Sequence, residues 1–352
     1  MTTTATAIVL AAGEGTRMRS DLPKVAHELL GVPMIRFVVS AAREAGVSRV
    51  VVVTGHKADV VEALISGVRF ARQDVQHGTG HAVMCALEAV GDLAGPVVVL
   101  AGDTPLIRPE TIRRLVAAQE QTGAACVVLS AEYDDPTGYG RVIRDDTGAV
   151  RSIVEHKDLP PERVDTRECN TGTYCFDGAA LAAHLHRLEN DNAQSEYYLT
   201  DLVGVFVTEG LGVQVVRADD SQETLGINSR VQLAQAAKVL QRRINEQHML
   251  AGVTMTDPDL VWIAPQVRIG RDVVLEPMTV LSGESVIGDR CHIGPSARIV
   301  SSTLGEGCVI DSSALKGCTL GKGVRVGPWA CVPPGTALKD GADVGGCTEV
   351  HP

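Results

Sequence analysis

From Ile269 onward a large aliphatic residue returns every six positions, at Ile269, Leu275, Leu281, Ile287, Ile293 and Ile299. After a slip the same spacing runs through Leu320, Val326, Val332, Leu338, Val344 and Val350. A period of six fits neither a strand, which alternates, nor a helix, which repeats every 3.6 residues. It suits a parallel β-helix, where each coil sets its aliphatic residues on those of the coil below and buries a continuous ladder. Gly often follows the aliphatic residue, as in Ile269-Gly270, Ile287-Gly288, Ile293-Gly294, Leu320-Gly321 and Val326-Gly327. A Gly-rich loop region would not hold the register through so many repeats.

The chain ahead of this repeat follows another rule. Up to about Asn228 it reads strand, Gly-containing turn, helix, repeated: strands at residues 5–10, 49–54 and 97–101, and a helix at 33–45. Short β-branched strands alternating with helices predict a mostly parallel sheet covered on both faces, with ligands beyond the carboxyl ends of the strands. Residues 231–250 carry Val231, Ala234, Val239, Leu240, Ile244 and Leu250 among Gln, Arg and Glu, which predicts an amphipathic linker helix. The expected organisation is α/β: a first domain over 1–229, a linker helix over 230–250 and a β-helix over 251–352. At 352 residues, two cores are the prior for such a chain.

Composition narrows the function. A formal net charge of −11 disfavours nucleic acid or an anionic membrane surface as partner, because both need a field of Lys and Arg. The longest apolar runs, such as Val50 to Val53 and Val97 to Leu100, are far short of a membrane helix. Nine cysteines without a C-x-x-C pair, behind a start of Met1-Thr2-Thr3-Thr4 that has no basic-then-apolar leader, point to a reducing, cytoplasmic setting.

The first strand runs into Leu10-Ala11-Ala12-Gly13-Glu14-Gly15-Thr16-Arg17-Met18, followed by Pro23-Lys24. Small residues let backbone N–H groups approach a phosphate chain, and Arg17 and Lys24 add charge, so this turn reads as an anion cradle or as plain structure. It is not a dinucleotide fingerprint, since Met18 stands at the third Gly, and no Walker pattern is present. Asp103, in Leu100-Ala101-Gly102-Asp103-Thr104, follows a buried strand, where a lone carboxylate must be paired, metal-bound or used as a cap. Mg²⁺ needs only one or two protein oxygens, so an Asp and one amide oxygen would suffice. Three more polar, Gly-rich stretches stand out: Gln73 with Gly78-Thr79-Gly80, Gly138-Tyr139-Gly140-Arg141 with Glu155-His156-Lys157, and Asn170-Thr171-Gly172. Each also reads as a turn or a surface ion pair.

Taken in order, these motifs resemble sugar-nucleotide pyrophosphorylases. With Asn192-Ala193-Gln194, Glu196-Tyr197-Tyr198-Leu199-Thr200-Asp201 and Gly226-Ile227-Asn228-Ser229-Arg230, the whole chain is similar to the bifunctional N-acetylglucosamine-1-phosphate uridylyltransferase and glucosamine-1-phosphate acetyltransferase family. The resemblance implies a Rossmann-like nucleotidyltransferase domain followed by a left-handed parallel β-helix. It implies UTP and an amino-sugar 1-phosphate as substrates, Mg²⁺ as cofactor and a homotrimer. By the same resemblance Leu10, Ala11, Ala12 and Gly13, with Gln73, Gly78 and Thr79, hold uridine, and Arg17 and Lys24 hold the triphosphate. Gly140, Glu155, Asn170, Tyr198 and Thr200 hold the acetamido sugar, Gly102 belongs to the substrate-binding set, and Asp103 and Asn228 bind the metal. Ala101 departs from the Tyr that some members carry there.

The expected chemistry is in-line displacement of pyrophosphate by a sugar phosphate that arrives deprotonated, so positioning and charge shielding by Arg17, Lys24 and Asp103 take the place of a catalytic base. A non-catalytic sugar-nucleotide-binding regulator or scaffold is the alternative, and a Rossmann-type oxidoreductase a weaker rival. No acetyltransferase activity is expected. The chain stops at Pro352, Pro333 stands where the family has Arg before Pro-Gly, and His351 stands where it has a phosphate-binding Lys.

Overall fold

The computed structural model describes residues 5–91 and 93–350. The chain divides into two compact units, one of residues 1–27 and 33–233, the other of 28–32 and 234–352. Expectations resting on the first four residues and on His351 fall outside the described residues.

The first unit is a three-layer α/β structure. Its strands and helices follow the order β1 (Thr6–Ala11), then, past the short pair β2 (Glu28–Leu29) and β3 (Val32–Pro33) that falls almost wholly in the second unit, α1 (Met34–Glu44), β4 (Arg49–Thr54), α2 (Ala58–Glu62), β5 (Arg69–Arg72), α3 (Thr79–Val90), β6 (Pro96–Ala101) and α4 (Pro109–Thr122). Then come β7 (Cys126–Glu132), β8 (Arg141–Arg144), β9 (Val150–Val154), β10 (Glu168–Asp177), α5 (Gly178–His184), α6 (Asp201–Thr208) and β11 (Val213–Arg217). The main sheet has the order β11-β7-β10-β6-β1-β4-β5, with β8 and β9 as a side ribbon on β10. Neighbours are parallel except β10, which runs antiparallel to β6 and β7. Alternation along β1 explains the layering: Ala7, Val9 and Ala11 join the core with α1 and α4, whereas Ile8 joins the core with α3, α5 and α6. Chain order reverses across β1, with β4 on one side and β6 on the other, so the carboxyl ends of these strands open the crevice where ligands bind in such sheets.

The second unit carries most of α7 (Arg230–Leu250) and a left-handed parallel β-helix. Two- and three-residue strands from Thr254–Met255 to Asp343–Val344 stack in three parallel sheets. Leu275, Ile293, Ile310 and Val326 form one inner ladder, and Leu281, Ile299, Leu315 and Val332 another. Each fully buried aliphatic side chain contributes roughly 1.5–3 kcal/mol of transfer free energy. The slip in the repeat is three shortened steps, Ile299 to Leu304, Ile310 to Leu315 and Leu315 to Leu320, taken at the corners so that the ladder stays in register.

The helix over α7 is present, but of the apolar stripe expected for it Ile244 is buried and Leu240 packs on the same core, while its two ends are not. Val231 and Leu250 are 68% and 84% exposed. The buried face is Ala236, Gln241, Ile244 and Asn245. Gln241 Nε2 donates to the carbonyls of Val261 (2.6 Å) and Asp259 (3.1 Å), and Asn245 Nδ2 to those of Val261 (2.9 Å) and Pro258 (2.8 Å). Two amides thus satisfy the irregular backbone between the first two strands of the β-helix, a need that a hydrophobic pattern cannot reveal.

Candidate active site

A cleft of about 360 Å³ opens in the first unit beyond the carboxyl ends of β1, β5 and β6. Its floor is Leu10, Ala11, Ala12 and Gly13. This turn is held from both sides: the Gly102 N–H donates to Leu10 O at 2.8 Å, and His56 N–H to Ala12 O at 3.2 Å. Gln76 Nε2 adds a 2.6 Å bond to the same Ala12 oxygen. Gly102 itself does not line the cleft; its position brings β6 against β1 and sets Asp103 at the rim.

Lys24 reaches Asp103 because Gly15 has no side chain. A Cβ on Gly15, whose φ is 68°, would lie 2.5 Å from Lys24 Cβ. The Lys24 ammonium pairs with the Asp103 carboxylate and donates to Asn228 Oδ1 at 2.9 Å, and Arg17 Nη2 donates to that same oxygen at 2.9 Å. Asn228 arrives from far along the chain through Ile227 N–H, which donates to Asp103 O at 2.9 Å. One carboxylate oxygen and one amide oxygen therefore converge on a single cationic point. Lys24 and Asp103 line the cleft, while Arg17 and Asn228 lie beside them rather than among the lining residues. Among the described residues no group of three or more His, Cys, Asp or Glu is arranged to hold a metal.

The opposite wall comes from β10, whose pairing with β7 breaks register between Asn170 and Tyr174. The bulge turns Asn170 and Gly172 into the cleft. Asn170 Nδ2 donates to the Tyr174 hydroxyl at 2.7 Å, and its backbone N–H to Gly140 O at 2.9 Å. Glu155 follows β9, with Thr200 Oγ1 donating to its Oε1 at 3.3 Å. Burial pushes the Glu155 carboxyl above the usual range, with the Thr200 bond opposing and Asp201, Asp158 and Glu196 adding to the rise. Burial, with Asp158 beside it, likewise lifts Asp201 to about 6. Gly140 borders the cleft only indirectly, since a Cβ there would lie 3.3 Å from Glu155 Oε2. Tyr198 is 7% exposed, lies outside the lining, and its buried hydroxyl has no hydrogen-bond partner among the described residues.

The third wall is Gln73, Gly78 and Thr79. Gln73 Nε2 donates to Gly78 O and also lies 3.0 Å from His81 Nδ1. Thr79 Oγ1 accepts from Leu199 N–H at 3.0 Å, which ties the start of α3 to the loop before α6. Sequence reasoning did not single out Gln76 or Tyr174, and gave Glu196 and Leu199 no role within the motif that contains them, yet all four line the cleft. Gln76, a second polar residue just ahead of Gly78, was the available signal; Tyr174 enters only through the bulge, which no sequence pattern marks.

A mostly parallel α/β sheet with a backbone cradle after its first strand, cations beside it and an acid after β6 defines a nucleotidyltransferase. Residues 7–196 match the family model described as MobA-like NTP transferase domain. Three curated relatives carry the name bifunctional protein GlmU. That of Caldanaerobacter subterraneus subsp. tengcongensis is 48% identical over 333 residues, covering 94% of this chain and 72% of its own length. Those of Trichlorobacter lovleyi and Heliobacterium modesticaldum are each 46% identical, covering 97% and 98% of this chain and 75% and 76% of their own lengths. The chain belongs to the GlmU family, and its enzyme class is nucleotidyltransferase of the GlmU type. Among the described residues no helix is long and apolar enough to cross a membrane.

Proposed function

We propose that the chain transfers the uridylyl group of UTP to the phosphate of an N-acetylated amino-sugar 1-phosphate and releases pyrophosphate. The observation that carries this reading is the meeting of Asp103, Asn228, Lys24 and Arg17 at one edge of the Leu10–Gly13 cradle. The residues fit Mg²⁺: Asp103 and Asn228 offer two hard oxygens already turned to a common cation, and Mg²⁺ takes the rest of its shell from water and phosphate. Bound there, Mg²⁺ would supply charge shielding on the triphosphate.

Lys24 and Arg17 act on the anionic oxygens of the nucleotide and the leaving pyrophosphate. The N–H groups of Leu10 to Gly13 hold the phosphate chain, and Gln73, Gly78 and Thr79 hold the base. Glu155, Asn170, Gly140 and Thr200 hold the acetamido sugar and bring its phosphate in line with the α-phosphorus. Tyr198 supports that wall from behind, and Gly102 supports Asp103. A phosphate monoester is already deprotonated near neutral pH, so no side chain needs to act as base. The proposal extends to a cytoplasmic homotrimer, and to absence of acetyl transfer, for which the support is Pro333, a residue without charge or N–H donor where the family resemblance implies Arg.

Pyrophosphate release is measured with UTP, Mg²⁺ and a panel of sugar 1-phosphates. N-acetylglucosamine 1-phosphate is expected to be preferred; no release with any acetamido sugar overturns the proposal. In parallel, acetyl-CoA with glucosamine 1-phosphate is expected to give no CoA above background.

A further inference from the structure

Gln73 is 4% exposed, lines the cleft and carries an amide that could face it by either end. The two ends read opposite chemistry, because the oxygen accepts and the nitrogen donates. The surroundings decide which end is turned inward. One amide atom lies 3.0 Å from Gly78 O, and a carbonyl oxygen only accepts, so that atom is Nε2. The same Nε2 lies 3.0 Å from His81 Nδ1, which must then be the unprotonated ring nitrogen. The ring proton falls on Nε2, which faces Cys85 Sγ at 3.9 Å from one helical turn further along α3. Both donor positions of the Gln73 amide are spent on Gly78 and His81, which leaves Oε1 for the cleft that Gln73 lines.

We infer that His81 is a specificity-determining positioning residue, which locks the Gln73 amide with its oxygen toward the base so that the site takes a pyrimidine bearing an imide N–H and rejects one with a bare ring nitrogen there. This deepens the uridylyl reading and rests on it. Uracil offers a donor at N3 and cytosine an acceptor. A fixed Oε1 pairs with the first and faces the second with two lone pairs opposed, a mismatch that a site built to hydrogen-bond penalises strongly. Without His81 only the Gly78 bond would hold the amide in this orientation, and the discrimination would relax.

Equilibrium binding of UTP and of CTP, both with Mg²⁺, is measured by calorimetry on the full chain and on His81→Leu and His81→Asn, with thermal melting of each to show that it is folded. The intact chain is expected to prefer UTP by on the order of 10²-fold. His81→Leu should lose roughly tenfold of that preference, chiefly through weaker UTP binding, with KM for UTP raised much more than kcat is lowered. His81→Asn, whose Oδ1 can stand where Nδ1 stands, should restore most of it. Equal preference in His81→Leu and the intact chain overturns the inference, as does an intact chain that binds both nucleotides alike. If the intact chain discriminates and His81→Leu does not, yet no sugar phosphate is uridylylated, the inference stands and the proposed reaction falls.

Discussion

Asp103 is the residue on which the proposed chemistry bears most directly. Its carboxylate meets the Lys24 ammonium at the edge of the cradle, and neither is fully buried, so loss of either leaves a wettable gap and not a stranded charge. Asp103→Ala is expected to lose at least about 10³-fold in turnover and Lys24→Ala about 10²-fold or more, both with melting curves near that of the parent. Near-normal pyrophosphate release by Asp103→Ala would remove the metal assignment. Asp201 gives a different signature. Burial and Asp158 lift it to about 6, so the folded chain keeps a proton there that the unfolded chain releases near pH 4. Stability is therefore full below about pH 4 and falls as pH rises toward about 6, with the start of α6 offsetting part of the loss. Asp201→Asn should be neutral at pH 4 and gain on the order of 1–2 kcal/mol at pH 7.5 in urea titrations. An equal effect at both values would show that Asp201 stays ionised across the range. The sequence made the cradle and Asp103 legible because each directly follows a recognisable strand, and Lys24 because it is a cation within a short distance of the cradle. It did not make Tyr174 or the orientation of Gln73 legible, because these depend on a bulge and on a histidine tautomer.

At the scale of elements, the Gly residues after the aliphatic ladder are explained by distance between coils. A Cβ on Gly305 would lie 2.6 Å from the carbonyl carbon and oxygen of Gly321, and one on Gly288 would lie 2.7 Å from the carbonyl carbon of Gly305. Each coil thus rests on the backbone of the next at this corner, and any side chain would force them apart. Gly305→Ala should cost roughly 1–3 kcal/mol. Gly204, inside α6, is the contrasting case: nothing lies within 4 Å of a Cβ there, so Gly204→Ala should gain about 0.5–1 kcal/mol. Calorimetric melting of both variants checks the pair, and a stabilising Gly305→Ala would mean that the coils are not in backbone contact. The period of six was readable because the inner ladder tolerates only aliphatic residues. The five-residue steps after Ile299 were readable only as a slip, since small polar residues such as Ser302 and Ser313 turn those corners by hydrogen bonds that leave no hydrophobic mark. The polar part of the buried face of α7 escaped the sequence reading for a related reason: Gln241 and Asn245 look like a solvated face until the carbonyls they serve are seen.

For the whole molecule, the central question is what the β-helix contributes to a chain whose proposed chemistry lies entirely in residues 1–233. Its coils satisfy their own backbone in one direction along the stack and bury their ladder internally, as the buried Leu275, Leu281, Ile293 and Ile299 attest. Its side walls, by contrast, are flat rows of outward residues, among them Trp262, Val280, Arg298 and Ala314 in one sheet. Such walls mix apolar and charged groups and suit self-association better than a buried core or a nucleotide pocket would. We predict that light scattering of the full chain gives the mass of a trimer, and that the segment 1–233 is a monomer. That segment keeps the compact unit of the main sheet, and it retains Asn228 together with Gln232, whose Oε1 accepts the Asn228 N–H at 2.8 Å. It should therefore hold uridylyl transfer within about tenfold if the β-helix serves assembly alone. A monomeric full chain would dispose of the assembly role. A trimer whose 1–233 segment is folded but inactive would instead assign the second unit a part in the reaction itself.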